Sequence, residues 1–132
     1  MGVETTTSLG QDRKMCVLVV DDDVRILSFI SASLRHIGYS VITATGGEEA
    51  LKLAGSQKTD IIILDILMPV MDGFEVLMRL RSVSDIPVIA VSALASAAEK
   101  ALSLGANDFL AKPFMPDELI KRIKVFLDHK GI

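Results

Sequence analysis

The sequence predicts an α/β fold: a doubly wound, five-stranded parallel sheet with five helices. Three observations point to it. Short apolar runs such as Val17-Leu18-Val19-Val20, Ile61-Ile62-Ile63-Leu64 and Val88-Ile89-Ala90-Val91 alternate with stretches of helical period, the pattern of β-α units. The first two runs end in acid, Asp21-Asp22-Asp23 and Asp65, and in a parallel sheet such strand ends meet at one edge. The chain has 132 residues, half of them hydrophobic, enough for one sizeable core and too few for two ordinary domains.

Residues 1 to 14 are rich in Thr, Ser, Gly and charge and show no period, so they read as a flexible leader, with the folded domain covering residues 15 to 132. The first strand, the run Val17 to Val20, is followed by a helix over about 23 to 37 that puts Leu27, Ile30, Leu34 and Ile37 on one face and stops at Gly38. Val41-Ile42 forms a short second strand, and Gly46-Gly47 opens a helix over about 47 to 55 with Ala50, Leu51 and Ala54 inward. The third strand covers 60 to 64, and the Met68-Pro69-Val70-Met71-Asp72-Gly73 loop leads into a helix buried through Val76, Leu77 and Leu80. Pro87 introduces strand four. A helix of Ala, Ser and Leu over about 95 to 104 ends at Gly105, and strand five covers 108 to 111. After Pro113 and Pro116 the last helix carries Leu119, Ile120, Ile123, Phe126 and Leu127. Right-handed crossovers with helices on both faces give the flavodoxin-like order 2-1-3-4-5, whose ligand crevice opens where strands one and three diverge.

Several classes are argued against. A formal net charge of −3 leaves no basic footprint for direct nucleic-acid binding. No apolar stretch approaches a membrane span, and residues 1 to 14 hold no hydrophobic signal core, so the chain reads as cytoplasmic with no membrane partner. The single Cys16 cannot form an internal disulfide and reads as a buried strand residue. His36 and His129 lack partners at ligand spacing and read as surface residues, while the five Phe and six Met residues are assigned to the core.

Carboxylates crowded at one sheet edge repel, raise each other's pKa and need a cation to stay ionised together. A hard divalent ion suits such oxygen ligands, Mg²⁺ first and Mn²⁺ as the alternative. Strand four ends in Ser92 and strand five in Lys112, and acids, a hydroxyl and an ammonium at one edge together describe a phosphoryl-transfer site. Each residue has a plainer reading by itself. Asp22 or Asp23 suits a helix N-cap, Asp72 the cap of the third helix, Ser92 a turn, and Lys112 a surface lysine. Their joint placement carries the assignment; Asp23 is kept as a cap or solvated neighbour.

From residue 15 onward the chain resembles the response regulator receiver domain, the CheY-like family of two-component signalling. The matching residues are Asp21-Asp22, Asp65 ahead of the Met68-to-Gly73 loop, Ser92-Ala93, and Lys112-Pro113-Phe114. The resemblance implies that Asp65 accepts a phosphoryl group from the phosphohistidine of a sensor histidine kinase or phosphotransfer protein. It implies that Asp22, Asp65 and the backbone carbonyl of Leu67 bind the metal directly, with Asp21 acting through water. Ser92, Lys112 and the backbone N–H groups of Leu67 and Ala93 would hold the phosphoryl oxygens, and the peptide before Pro113 would be cis. On this likeness the protein is a signalling switch that catalyses its own Mg²⁺-dependent phosphorylation and dephosphorylation, and not otherwise an enzyme.

In the implied switch, Ser92 moves inward on phosphorylation and Phe109, where the family commonly has Tyr, turns in behind it, altering the face formed by helix four, strand five and helix five. That face would meet a downstream effector or target protein, or a second copy of the chain in a homodimer supported by Lys121, Arg122 and Lys124. Leu67 and Leu94 flank the site where polar groups can orient the hydrolytic water, and Leu can neither donate nor accept a hydrogen bond, so a long-lived acyl phosphate is expected. Two other readings stay open. A haloacid-dehalogenase-type phosphatase wants a second Asp where this chain has Leu67, and a phosphate-independent binding module would keep the fold without the chemistry. With no effector domain after residue 132, output is expected through a partner or through a region outside the sequence.

Overall fold

The computed structural model describes residues 14–56 and 58–127. The leader assigned to residues 1 to 14, apart from Lys14, and the reading of His129 lie outside the described residues. Ten elements alternate: β1 (Cys16–Val20), α1 (Val24–His36), β2 (Ser40–Ala44), α2 (Gly47–Ser56), β3 (Ile61–Asp65), α3 (Gly73–Arg81), β4 (Val88–Ser92), α4 (Ala97–Ser103), β5 (Asp108–Ala111) and α5 (Pro116–Leu127). The strands form one parallel sheet in the order β2-β1-β3-β4-β5, as the sequence predicts.

β1, β3 and β4 are buried at every position, and alternation of side chains across the pleat divides them between two cores. Val17, Val19, Ile61, Ile63, Ile89 and Val91 face α1 and α5, meeting Leu27, Leu34, Leu119 and Ile123. Leu18, Val20, Ile62, Leu64, Val88 and Ala90 face α2, α3 and α4, meeting Ala50, Leu77 and Ala101. Both faces of the central strands are therefore dry, which is why their sequences run apolar without interruption. No helix among the described residues is long and apolar enough to cross a membrane.

Helix ends follow local chemistry. The Asp23 carboxylate accepts the Arg25 N–H at 3.0 Å and that of Asp72 accepts the Glu75 N–H at 3.0 Å, so both are N-caps, as the sequence suggests. Gly38 takes φ +107° after α1, and the Tyr39 N–H returns to Leu34 O at 3.1 Å, closing the helix in the left-handed turn that glycine adopts without a Cβ penalty.

Four expectations need adjustment. β2 is a full five-residue strand rather than the pair Val41-Ile42, because its register with β1 runs from Cys16↔Ser40 to Val20↔Ala44. α4 starts two residues late, since Leu94 and Ala95 accept turn bonds from the Ala97 and Ala98 N–H groups. β3 begins at Ile61 and includes Asp65, while Asp60 sits buried beside it and accepts the Cys16 N–H at 2.8 Å. Ile37, assigned inward on α1, is exposed, as are Phe29, Met78 and Met115 among the residues assigned to the core.

The outer edge of β2 is partly covered. Ser40 N–H bonds to Met15 O and Asp21 N–H to Ala44 O, so even-numbered residues face β1 and the Val41 carbonyl points outward. There it accepts from the Arg35 guanidinium at 3.2 Å, and the Thr45 N–H donates to the Glu49 carboxylate at 3.0 Å. On the opposite edge Arg122 donates to Phe109 O at 3.1 Å.

Candidate functional site

The site forms at the C-terminal edge of the sheet. β1 and β3 are neighbours in register, Val20 beside Leu64, so the next residues along, Asp21 and Asp65, are delivered to the same place. Both are buried, at 3% and 4% exposure, whereas Asp22 is exposed. One carboxylate oxygen from each of Asp21, Asp22 and Asp65 lies within 4.8 Å of the others. Three hard oxygen donors, two of them dry and one open to solvent, fit a divalent cation with room for water in its shell.

Lys112, just beyond β5, reaches into this cluster. Its Nζ donates to Asp21 Oδ2 at 2.8 Å and lies 3.5 Å from Asp65 Oδ1. The other Asp21 oxygen accepts the Asp23 N–H at 2.9 Å, which links the site to the cap of α1. Burial, together with the charge of Asp21 and a smaller effect of Asp22, pushes the Asp65 carboxyl up to about 6, against the opposing pull of Lys112. For Lys112, burial pulls its ammonium down, but the hydrogen bond to Asp21 and the charges of Asp65 and Asp21 outweigh it, so its pKa lies above the usual lysine value.

Ser92 ends β4, fully buried, one residue past the Asp65↔Val91 pair. Its hydroxyl oxygen accepts the Leu94 N–H at 3.0 Å, which leaves the hydroxyl proton to donate elsewhere. The Lys112 N–H bonds to Ser92 O at 2.9 Å, tying the ends of β4 and β5 together, and the Lys112–Pro113 peptide is cis. Ala93 is exposed, and Leu67 and Leu94 are 48% and 52% exposed. Phe109 pairs with Ala90, two residues before Ser92 and Ala111, and packs half-buried against the core beneath α4.

Sequence reasoning placed the acids, hydroxyl and ammonium at this edge but missed three features. The first is the bond from Lys112 to Asp21, residues 91 positions apart, which sequence reasoning did not foresee. Assigned to the core, Phe29 is 59% exposed and lines, with Ile26, Ile30, Ala93, Pro113 and Phe114, an apolar cavity of about 370 Å³ that abuts Lys112. The third is Gly73, whose Asp-Gly sequence after the loop was the available signal. Its N–H donates to Ile66 O at 2.8 Å, beside Asp65.

The family model for the response regulator receiver domain matches residues 17–124. Among curated proteins, the chain is similar to the probable transcriptional regulator ycf27 of Guillardia theta, 44% identical over 118 residues that make up 88% of this chain and 46% of that protein. It is also similar to the transcriptional regulatory protein PrrA of Mycobacterium tuberculosis, 44% identical over 118 residues, 87% of this chain and 51% of that one. The chain thus spans about half the length of the curated relatives it matches. Among solved structures it resembles the Francisella response regulator 1452 receiver domain, with TM-score 0.84, 37% identity, and coverage of 89% of this chain and 99% of that one. It also resembles the response regulator protein TrrA of Thermotoga maritima in complex with Mg(2+)-BeF, with TM-score 0.79, 35% identity, and coverage of 85% and 98%.

Proposed function

Because this chain belongs to the response regulator receiver family of two-component signalling, we propose that Asp65 is its phosphoacceptor and that the cluster of Asp21, Asp22 and Asp65 is a Mg²⁺ site. An Asp65 carboxylate oxygen attacks the phosphorus of a phosphohistidine on a histidine kinase or phosphotransfer protein. The P–N bond breaks, its electron pair leaves with the imidazole, and Asp65 carries an acyl phosphate. The observation that supports this best is the three-carboxylate cluster within 4.8 Å with the Lys112 ammonium against two of its members.

Mg²⁺ supplies positive charge that offsets repulsion between the carboxylate and the incoming phosphoryl oxygens, and Mn²⁺ fits the same donors. Asp22 and Asp65, with the Leu67 carbonyl, would hold the ion directly, and Asp21 would act through water. Lys112 exchanges its bond to Asp21 for a phosphoryl oxygen. The Ser92 hydroxyl and the backbone N–H groups of Leu67 and Ala93 donate to the remaining oxygens, fixing a loose in-line transfer. The domain catalyses its own phosphorylation and dephosphorylation and acts as a switch, with Ser92 and Phe109 relaying the change to the α4-β5-α5 face and its effector. Arg122 on that face is engaged within the chain by Asp108 at 2.8 Å, so a homodimer there would rest on Lys121 and Lys124. Relatives about twice as long that bear the names of transcriptional regulators suggest transcription as the output, through parts beyond this domain.

The test is intact mass after incubation with acetyl phosphate and Mg²⁺. One phosphoryl adduct is expected, absent in Asp65→Asn and in chelated samples. An adduct that survives in Asp65→Asn rules Asp65 out as acceptor, and no adduct on folded wild-type protein favours a phosphate-independent binding module.

A further inference from the structure

Leu67 is asked to present a backbone carbonyl to the ion, yet its side chain is 48% exposed and gives it little anchorage. Its position is set by the backbone on either side. Before it, the Ile66 N–H donates to Val91 O at 2.9 Å. After it, the chain runs out through Val70, at φ +68° with the Met71 N–H bonded to Pro69 O at 2.8 Å, and returns at Gly73. The Gly73 N–H then bonds to Ile66 O at 2.8 Å, closing the loop on the residue next to Leu67.

That return has no room for a side chain. A Cβ at position 73 would lie 2.6 Å from Asp65 O, 2.6 Å from the Ile66 Cα and 2.9 Å from the Ile66 Cδ1. The first two are backbone atoms of β3 and its continuation and cannot swing aside as the tip of a side chain can. The first turn of α3 therefore rests directly on the peptide that links the proposed phosphoacceptor to the proposed carbonyl ligand.

We infer that Gly73 is a positioning residue for the metal site: by packing its bare Cα on the Asp65–Ile66 peptide and bonding Ile66 O, it holds the Asp65 carboxylate and the Leu67 carbonyl in one geometry for a divalent cation. This rests on the reading of the site given above. A built-in control exists at Gly47, where a Cβ would meet Met71 Sδ at 2.7 Å and Val76 Cγ2 at 2.8 Å. It would press on the same helix and its loop through side chains, and not through the backbone of Asp65 and Ile66.

The experiment is an Mg²⁺ titration of the full 132-residue chain followed by amide NMR shifts, with thermal unfolding of each variant alongside. Gly73→Ala is expected to weaken Mg²⁺ binding about tenfold or more, as loss of outer-shell support does at other metal sites. Gly47→Ala is expected to lower the unfolding midpoint while changing the Mg²⁺ dissociation constant less than about twofold. Unaltered Mg²⁺ affinity in Gly73→Ala, or equal losses in both variants, overturns the inference. Should Gly73→Ala fail to fold, hydrogen exchange in the wild type decides. Coupling is reciprocal, so saturating Mg²⁺ must slow exchange of the Gly73 amide relative to the Ala50 amide of α2, and an unchanged ratio overturns the positioning role. A wild type that takes up no Mg²⁺ overturns the reading of the site and this inference with it.

Discussion

Replacing Asp65 by Asn removes one negative charge from a pocket where Asp21 is already buried and Asp22 lies within reach, so in the absence of metal the variant should be the more stable protein. The magnitude follows from the rise of the Asp65 carboxyl from 3.8 to about 6. At roughly 1.36 kcal/mol per pKa unit, the two units or so amount to ~3 kcal/mol of cost for ionising Asp65 in the folded chain. The sign is that of a raised carboxylate. Between about pH 4 and pH 6 the folded state holds a proton that the unfolded chain has released, so wild-type stability falls as pH rises through this window. Above it the whole cost is present; below about pH 4 it vanishes. Lys112 bonds Asp21 at 2.8 Å and lies 3.5 Å from Asp65, and the raised Asp65 value already includes its opposing pull. Urea unfolding in a chelator should show Asp65→Asn ahead by about 3 kcal/mol at pH 7.5 and level with wild type near pH 4. Adding Mg²⁺ at 100 times its dissociation constant should return about 2.7 kcal/mol to the wild type, with far less gained by Asn. A variant less stable at pH 7.5, or an advantage that does not change with pH, would refute the electrostatic account.

Two further predictions concern other parts of the molecule. Arg81, at the end of α3, donates to Gly105 O at 2.9 Å, Ser84 O at 3.2 Å and Asn107 Oδ1 at 2.9 Å; Arg81→Met should cost about 2–3 kcal/mol in urea unfolding while leaving Asp65 phosphorylation intact, and a loss under about 0.5 kcal/mol would show these bonds to be idle. Leu67 and Leu94 offer no hydrogen bond to a hydrolytic water, so Leu67→Asn with Leu94→Glu should shorten the lifetime of the acyl phosphate by about tenfold or more, followed by loss of the intact-mass adduct; unchanged decay would dismiss that role.

What could be read from the sequence tracks how far each feature depends on distant parts of the chain. β1, β3 and β4 announce themselves because both faces are buried and every position is apolar. β2 does not, because at the sheet edge Ser40 and Thr43 are exposed and only Val41 and Ala44 are fully buried, so in sequence only the apolar pair Val41-Ile42 stood out. The start of α4 was misplaced because Leu94-Ala95-Ser96 is helical in composition but turns before the helix begins. The edge that gathers Asp21, Asp65, Ser92 and Lys112 was legible because parallel strands all end on the same side. The Lys112–Asp21 pair, the Arg81 clamp and the seat of Gly73 on Asp65 were not. Each depends on residues from separate elements approaching within hydrogen-bond or van der Waals distance, and no periodicity encodes that.

The two guanidinium groups at the margins of the sheet limit how this domain can associate. Arg35 occupies the outward Val41 carbonyl on β2 and Arg122 occupies Phe109 O on β5, one from a helix on each flank. An incoming strand needs an uninterrupted row of free backbone groups, and these positions break that row on both sides. Copies of the domain brought close together are thereby kept from stitching their sheets into a continuous ribbon. Association is directed instead to side-chain surfaces, whose contacts need no free backbone edge.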